Sequence, residues 1–141
     1  MNIGPLEISA PATWTFYPFD NLILARPDSG IGSLQVSTAF RHDAPHGAST
    51  ADCLALARQF ASCDGMSELF DATELSEPDI LVGAFSFTAG NDFYRVWYRY
   101  SERQLLLGIY QCSRDEARAA VVELQDAEQM IRTSEYVTPG I

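Results

Sequence analysis

The sequence contains no lysine, and its nine basic residues, all arginine, are outnumbered by nineteen aspartates and glutamates. The formal net charge at pH 7 is therefore −10. A protein that binds phosphate groups gains affinity by neutralising them, so this charge argues against nucleic acid and against an anionic membrane surface as partners. The same field would attract a basic protein. The exclusive use of arginine suggests a GC-rich bacterial source, and no mechanism follows from it.

Cysteine is scarce as well. Cys53, Cys63 and Cys112 are odd in number and lack C-x-x-C spacing, which argues against a disulfide framework and a zinc ribbon. No apolar run approaches the roughly 20 residues of a membrane span, and the first residues lack the basic and apolar regions of a secretory signal. We therefore expect reduced thiols in a cytoplasmic protein, and one domain over residues 1–141.

Short strands and one helix are predicted in the first half of the chain. Four segments bounded by Pro, Gly, Asn or Asp are typical of strands: PLEISAP, TWTFYP, NLILARP and GSLQVSTAF. After the loop RHDAPHGAS, apolar residues at helical spacing predict a helix of about three turns; they are Cys53, Leu56, Ala57 and Phe60. Residues 64–79 carry six acidic residues and no basic one, which favours a solvated connection.

The second half predicts a three-stranded meander and a long helix. The strands are ILVGAFSFTAG, FYRVWYRY and LLLGIYQCS, joined at AGND and SERQ. Ser113 and Glu116 have capping-box spacing, and a helix of about five turns should follow. Its buried side would hold Ala117, Ala120, Val121, Leu124, Ala127, Met130 and Ile131. Its exposed side would hold Asp115, Glu123, Asp126 and Glu128. The predicted fold class is α+β, an antiparallel sheet of about six strands with helices packed on its faces.

This order of elements resembles the PsbP/DcrB-like α/β sandwich family. The resemblance rests on the Pro- and Trp-containing second strand, the hairpin YRVWYRYSERQLLLGIYQCS and a final helix ending in AEQMIRTS. It spans most of the chain and is one of pattern. It implies a PsbP-like sandwich and a non-catalytic binding scaffold, as in photosystem accessory subunits and the adaptor chaperones of type VI secretion effectors. It carries over no catalytic residue.

The central strand of the meander alternates arginine with aromatic residues. Phe93, Arg95, Trp97 and Arg99 should share one face, because successive side chains of a strand point to opposite sides. They could form the anchor cluster of a protein interface, since Trp, Tyr and Arg are enriched at hot spots. Alternatively, the two arginines stack on the rings and pair with carboxylates inside the fold.

The other face of the meander is also rich in rings. A groove for a small ligand or a hydrophobic peptide would be lined by Tyr94, Tyr98, Tyr100 and Tyr110. A sheet covered on one side alone should alternate cleanly between apolar and polar residues, and these strands do not. Either both faces are covered, or one is kept for a partner, which includes a second copy of the chain.

Chemistry-bearing motifs are weak. His42, Asp43 and His46 are metal-ligand residue types in a short loop, without a fourth ligand nearby. No phosphate loop and no complete G-x-S-x-G elbow is present. The sequence thus predicts a non-enzymatic protein-binding module without a cofactor, an immunity or adaptor protein for a basic toxin or effector. A small-ligand binder and a metal-dependent protein are the alternatives.

Overall fold

An antiparallel sheet dominates the computed structural model, which describes residues 2–3, 6–8, 11–19, 22–28, 30–40, 70–77, 80–101 and 104–136. The strands are β1 (Asn2–Ile3), β2 (Leu6–Glu7), β3 (Trp14–Pro18), β4 (Leu22–Pro27), β5 (Ser33–Phe40), β6 (Phe70–Glu77), β7 (Ile80–Ala89), β8 (Asp92–Ser101), β9 (Gln104–Ser113) and β10 (Glu135–Tyr136). A 3₁₀ helix (Arg114–Ala120) leads into an α-helix, α1 (Val121–Thr133). The early strands, the meander and the terminal helix are therefore where the sequence predicts them.

Seven strands form the main sheet, in the order β3-β4-β5-β9-β8-β7-β6, and every neighbouring pair is antiparallel. The short strands β1, β2 and β10 make a second sheet. The prediction of about six strands missed β6, because the acidic residues of 70–77 favoured a connection. β6 lies at the edge of the described sheet, where charged side chains are tolerated because one side of the strand is open.

The 3₁₀ helix and α1 pack against β8 and β9. The core between the sheet and this helical layer includes residues from both ends of the chain, among them Trp14, Leu34, Trp97, Leu106, Ala127 and Met130. Trp14 Nε1 also donates a hydrogen bond to the Asp126 carboxylate, at 3.2 Å. This bond links α1 to β3, which lies at the edge of the described sheet opposite β6.

The predicted helix faces are wrong at two positions. Val121 was expected in the core and is 52% exposed, whereas Glu123 was expected in solvent and is 3% exposed. Ser113 makes no side-chain cap hydrogen bond, and the first seven residues are 3₁₀ rather than α-helical. A 3₁₀ helix has 3.0 residues per turn instead of 3.6, so it rotates the face that the following α-helix presents to the sheet.

Buried Glu123 joins α1 to the β4–β5 connection. Its carboxylate accepts hydrogen bonds from the Tyr110 hydroxyl at 2.7 Å, the Gly32 amide at 3.0 Å and the Ile31 amide at 3.4 Å. A side chain at Gly32 would collide with the Tyr110 hydroxyl. A buried carboxylate is tolerated here because several donors replace its hydration.

Both faces of the meander formed by β7, β8 and β9 are buried, so its mixed pattern reflects cover on both sides. On the side away from α1, side chains at most 3% exposed include Phe85, Phe87, Val96, Tyr98 and Leu107. The predicted helix around residues 53–60 lies outside the described residues. Within the described part of the chain, no helix has the length and apolar content that crossing a bilayer requires.

Candidate functional site

A cleft of about 500 Å³ opens between the β6 side of the sheet and the first half of α1. The strands contribute Asp71, Ala72, Thr73, Ser86, Arg95 and Trp97 to its lining. The helix contributes Val121, Leu124, Gln125 and Glu128. The volume is within the range of small-molecule and side-chain pockets.

Arg95 is the central polar group of the cleft. It lies beside Ser86 in the register of β8 with β7, on the face covered by α1. Nη1 donates to the Ser86 hydroxyl at 2.8 Å and to the Asp71 carbonyl at 3.0 Å, and Cζ lies 5.8 Å from the centroid of the Trp97 ring. These contacts fix the guanidinium plane and leave Nε and Nη2 without a hydrogen-bond partner among the described residues.

The electrostatic surroundings of Arg95 are mixed. Burial lowers the pKa of Arg95 because it removes water from the guanidinium, and the negative charges of Glu128 and Asp71 oppose this effect. Neither carboxylate forms an ion pair with Arg95; the one ion pair among the described residues joins Glu128 to Arg132, at 3.9 Å. The guanidinium is therefore partly desolvated and lacks a direct anionic partner within the described chain.

Asp71 reaches Arg95 because the backbone of β6 is distorted. The register of β6 with β7 shifts between Phe70 and Thr73, and Asp71 has a φ of 53°. Left-handed backbone is unfavourable for a residue with a side chain, although Asp tolerates it better than most. The bulge directs a carbonyl, which would otherwise belong to the ladder, at the guanidinium. Such bulges and strained residues concentrate near functional sites.

Trp97 contributes a second unused donor. The residue is 2% exposed, and its buried Nε1 has no hydrogen-bond partner among the described residues. The indole packs tightly, because its β9 neighbour is Gly108, where an added Cβ would lie 2.8 Å from Ile131 Cδ1 and 3.7 Å from Trp97 Cε3. An unsatisfied buried donor costs about 1–3 kcal/mol. Because this Nε1 atom is fully buried, the donors of the cleft that a ligand can reach are those of Arg95, which are complementary to an acceptor.

Exposed apolar residues lie beside the cleft. Val121, in its lining, is 52% exposed, and the next residue, Val122, is 66% exposed. On the strand side, Phe70 is 40% exposed, and its ring centroid lies 6.2 Å from that of Phe93. Large exposed apolar residues grouped around a cleft are a mark of binding surfaces. We call Phe70, Val121 and Val122 the apolar rim.

The structure places the four predicted partner-binding residues on one face, as the alternation predicts, but it buries two of them. Phe93 is 8% and Trp97 2% exposed, so neither can serve as a surface anchor. The alternative interpretation is confirmed in part: Arg95 stacks on Trp97, but neither Arg95 nor Arg99 forms an ion pair with a carboxylate of the described residues. Arg99 donates to the carbonyl and hydroxyl of Ser134, the C-cap residue of α1. A guanidinium there satisfies the orphan carbonyl and the negative end of the helix dipole.

The predicted tyrosine groove is wrong as a set of four. Tyr110 pairs with Arg95 in the register of β8 and β9, so it lies on the α1 side, opposite Tyr94 and Tyr98. Tyr98 is 1% exposed, and the ring of Tyr94 stacks on Phe87 at 4.9 Å. The side chain of Tyr100 lies outside the described residues. The grouping failed because a one-residue change in strand register moves a side chain to the other face.

No group of three His, Cys, Asp or Glu residues in the described ranges is placed to hold a metal ion. The predicted loop of His42, Asp43 and His46 lies outside those ranges, so the hypothesis of a metal site in this loop stays a prediction. Cys112 is buried, and burial raises the pKa of its thiol. A thiol with a raised pKa is a poor nucleophile.

Several cleft residues were missed at the level of sequence. Ser86 lies in the apolar strand β7, and its hydroxyl faces Arg95. A serine inside an apolar strand indicates that a buried polar partner lies nearby. Asp71 was hidden in the acidic run, and Glu128 was assigned to the solvent face. Nothing in the local sequence brings these residues together, since they come from strands and a helix far apart in the chain.

Comparisons with known proteins bear on the fold alone. No protein-family model matches the sequence, and no curated protein matches it significantly. Among solved structures, the chain is similar to cyanobacterial PsbP (CyanoP) from Synechocystis sp. PCC 6803, with a TM-score of 0.63 and 12% sequence identity. The similarity covers 94% of this chain and 86% of that one. The DcrB-like and secretion-adaptor part of the predicted resemblance stays a prediction, whereas the fold is confirmed: this chain has a PsbP-like fold.

Proposed function

We propose that this protein is a non-enzymatic binding module that engages another polypeptide at the cleft beside Arg95. The observation that carries the proposal is the combination of the unused donors of Arg95 within the cleft with an exposed apolar rim around it. Donors that lack partners favour an incoming acceptor, and exposed Val and Phe side chains gain free energy when a partner covers them.

The polar groups of the cleft suit binding better than catalysis. The Ser86 hydroxyl accepts a hydrogen bond from a guanidinium, which cannot take its proton and so cannot act as a general base. Arg95 in turn is held in one orientation by Ser86, the Asp71 carbonyl and Trp97. A fixed guanidinium recognises an anionic or polar group by geometry and does no covalent chemistry.

The net charge of −10 supports a partner that is basic overall. Long-range attraction would raise its association rate, while the cleft and the apolar rim would set the lifetime of the complex. A cytoplasmic immunity or adaptor protein for a toxin or effector is the specific role that we infer. Both roles require only a surface complementary to one partner.

A small-ligand binder is the second candidate, because a cleft of about 500 Å³ would also hold a small molecule. The partner hypothesis is favoured over it by the apolar rim, since residues exposed outside the cleft contribute little to a ligand enclosed within it.

The proposal is tested by affinity capture with variants of the rim. Wild-type protein, Val122→Asp and the control Phe19→Asp would serve as baits, because Phe19 is 61% exposed and follows β3, at the opposite edge of the sheet. A captured partner would then be purified and its complex reconstituted. We expect Val122→Asp to weaken the complex about tenfold or more and Phe19→Asp to leave it unchanged. Equal binding by all three baits, or a complex made of this chain alone, would refute the proposal.

A further inference from the structure

We propose that the cleft recognises the free C-terminal carboxylate of a polypeptide whose last side chain is apolar. This inference rests on the proposed function and names the part of the partner that enters the site. It follows from three properties of the described residues around Arg95: the donors they leave unused, the charges near them and the apolar surface beside them.

The unused donors select an acceptor. Nη1 of Arg95 is occupied by Ser86 and the Asp71 carbonyl, so the Nε and Nη2 edge is the part of the guanidinium that is left for a ligand. A carboxylate matches such an edge with two parallel hydrogen bonds.

The nearby charges favour a carboxylate over a phosphate. Glu128 and Asp71 are close enough to act on Arg95 electrostatically, and Glu128 is itself paired with Arg132. A phosphate monoester carries a charge of about −1.5 to −2 at pH 7. It would meet more repulsion from these two carboxylates than a single carboxylate would.

The apolar surroundings favour the end of a polypeptide over a small free acid. Ala72, Val121 and Leu124 line the cleft beside Arg95 and provide contact for an apolar last side chain. Val122 is two-thirds exposed, next to the cleft residue Val121, so a ligand with several residues would cover it. In addition, Asp71 and Ala72 have no partners in the β6–β7 register, and their backbone lies at the edge of the sheet that the described strands form, where an incoming chain could pair.

The test uses fluorescence polarisation with labelled peptide pools. Each pool contains six-residue peptides with random upstream positions and leucine at the end, synthesised once as the free acid and once as the C-terminal amide. A third pool ends in aspartate. The proteins are wild type, Arg95→Met, which keeps the apolar stem of the side chain, and the control Arg118→Met, at an exposed position of the 3₁₀ helix.

We expect the leucine acid pool to bind wild type and Arg118→Met at least about tenfold more tightly than the amide pool, as the loss of a hydrogen bond to a charged group implies. Arg95→Met should lose this preference. Equal binding of acid and amide pools, absence of binding by all pools, or a preference for aspartate would overturn the inference. Those results would not contradict a polypeptide partner found by affinity capture. The proposed function and this inference can therefore fail independently.

A competition measurement on wild-type protein covers the case in which Arg95→Met does not fold. N-acetyl-leucine should displace the labelled acid pool, and N-acetyl-leucinamide should not. Hexanoate has a carboxylate and an apolar chain without a peptide bond, and it should compete poorly. If hexanoate competes as well as N-acetyl-leucine, the site does not distinguish a polypeptide terminus from a small free acid, and the inference that it selects the terminus is overturned.

Discussion

Tyr110 and Glu123 show how single polar side chains are stabilised inside this fold. Tyr110 is fully buried, and its hydroxyl donates to the buried carboxylate of Glu123 at 2.7 Å. Burial and the carboxylate together raise the pKa of Tyr110, because both disfavour a phenolate. The pair therefore stabilises the folded state only while Tyr110 is protonated.

Replacing Tyr110 with Phe should lower the free energy of unfolding at neutral pH by about 1–3 kcal/mol, since Glu123 would lose a donor while it stays buried. Urea unfolding would measure the change. The matched control is Tyr17→Phe, because Tyr17 is 48% exposed, and that substitution should cost less than about 0.5 kcal/mol. Equal effects of the two substitutions would mean that the Tyr110–Glu123 bond contributes no stability.

The same pair predicts a loss of stability at alkaline pH. The folded-state pKa of Tyr110 lies above that of the unfolded chain, so the folded state holds a proton that the unfolded state releases. Its contribution is complete below the unfolded pKa of about 10 and declines as the pH rises above that value. In Tyr110→Phe the stability should fall less steeply over this range. An unchanged slope would exclude Tyr110 as the source.

Strand β6 supplies the backbone that orients Arg95, and it does so from a strained conformation. Asp71 has a φ of 53° in the bulge, and its carbonyl accepts a hydrogen bond from Arg95. A glycine would relieve the strain and keep the carbonyl, whereas a β-branched side chain would increase it. Through the conformation of this one residue, the edge strand β6 contributes a hydrogen-bond acceptor to the cleft.

Asp71→Val should destabilise the fold by about 1–2 kcal/mol, and Asp71→Gly should be neutral or stabilising by up to about 1 kcal/mol. Urea unfolding of both variants tests this pair of expectations. Ala72→Val serves as the control, because Ala72 is exposed beside Asp71 and has no unusual φ. If valine is tolerated equally at both positions, the positive φ at Asp71 is not imposed by the fold.

Local patterns predicted most strands and helices, and failed where position in the sheet decides the outcome. Alternation marked β5 correctly, since Leu34 and Val36 of one face are buried while Gln35 and Ser37 of the other are only half-buried. In β8 it assigned the residues to the correct faces, although both of these faces are covered. β6 was missed because an edge strand accommodates acidic residues. Glu123 was misplaced because its partners, Tyr110 and Gly32, come from another strand and a connection, which no local window contains.

The cleft could not be assembled from sequence for the same reason. The alternation of β8 placed Arg95 and Trp97 on one face, which is correct. It could not show that α1 would cover that face and bury Trp97, nor that β6 would add the Asp71 carbonyl. The site exists where a distant strand and the terminal helix meet the meander, so it is a property of the tertiary structure and not of any local segment.

The excess of negative charge acts on the protein as a whole, and it should affect folding and binding in opposite directions. A net charge of −10 destabilises a compact state by self-repulsion, and it attracts a basic partner at long range. Salt screens both effects, with a Debye length of about 30 Å at 0.01 M and about 8 Å at 0.15 M. Added salt should therefore stabilise the free protein and weaken its attraction to a basic partner.

Raising sodium chloride from about 0.01 M to about 0.15 M should therefore increase the urea midpoint of the free protein and slow its association with a basic partner. Stopped-flow measurements on the reconstituted complex would give the association rate, and the dissociation rate should change much less because the cleft contacts are short-range. Val122→Asp is the control: it should raise the dissociation rate and leave the salt dependence of association nearly intact. An association rate insensitive to salt would contradict steering by the acidic surface, and a partner would then have to be selected by the cleft and the apolar rim alone.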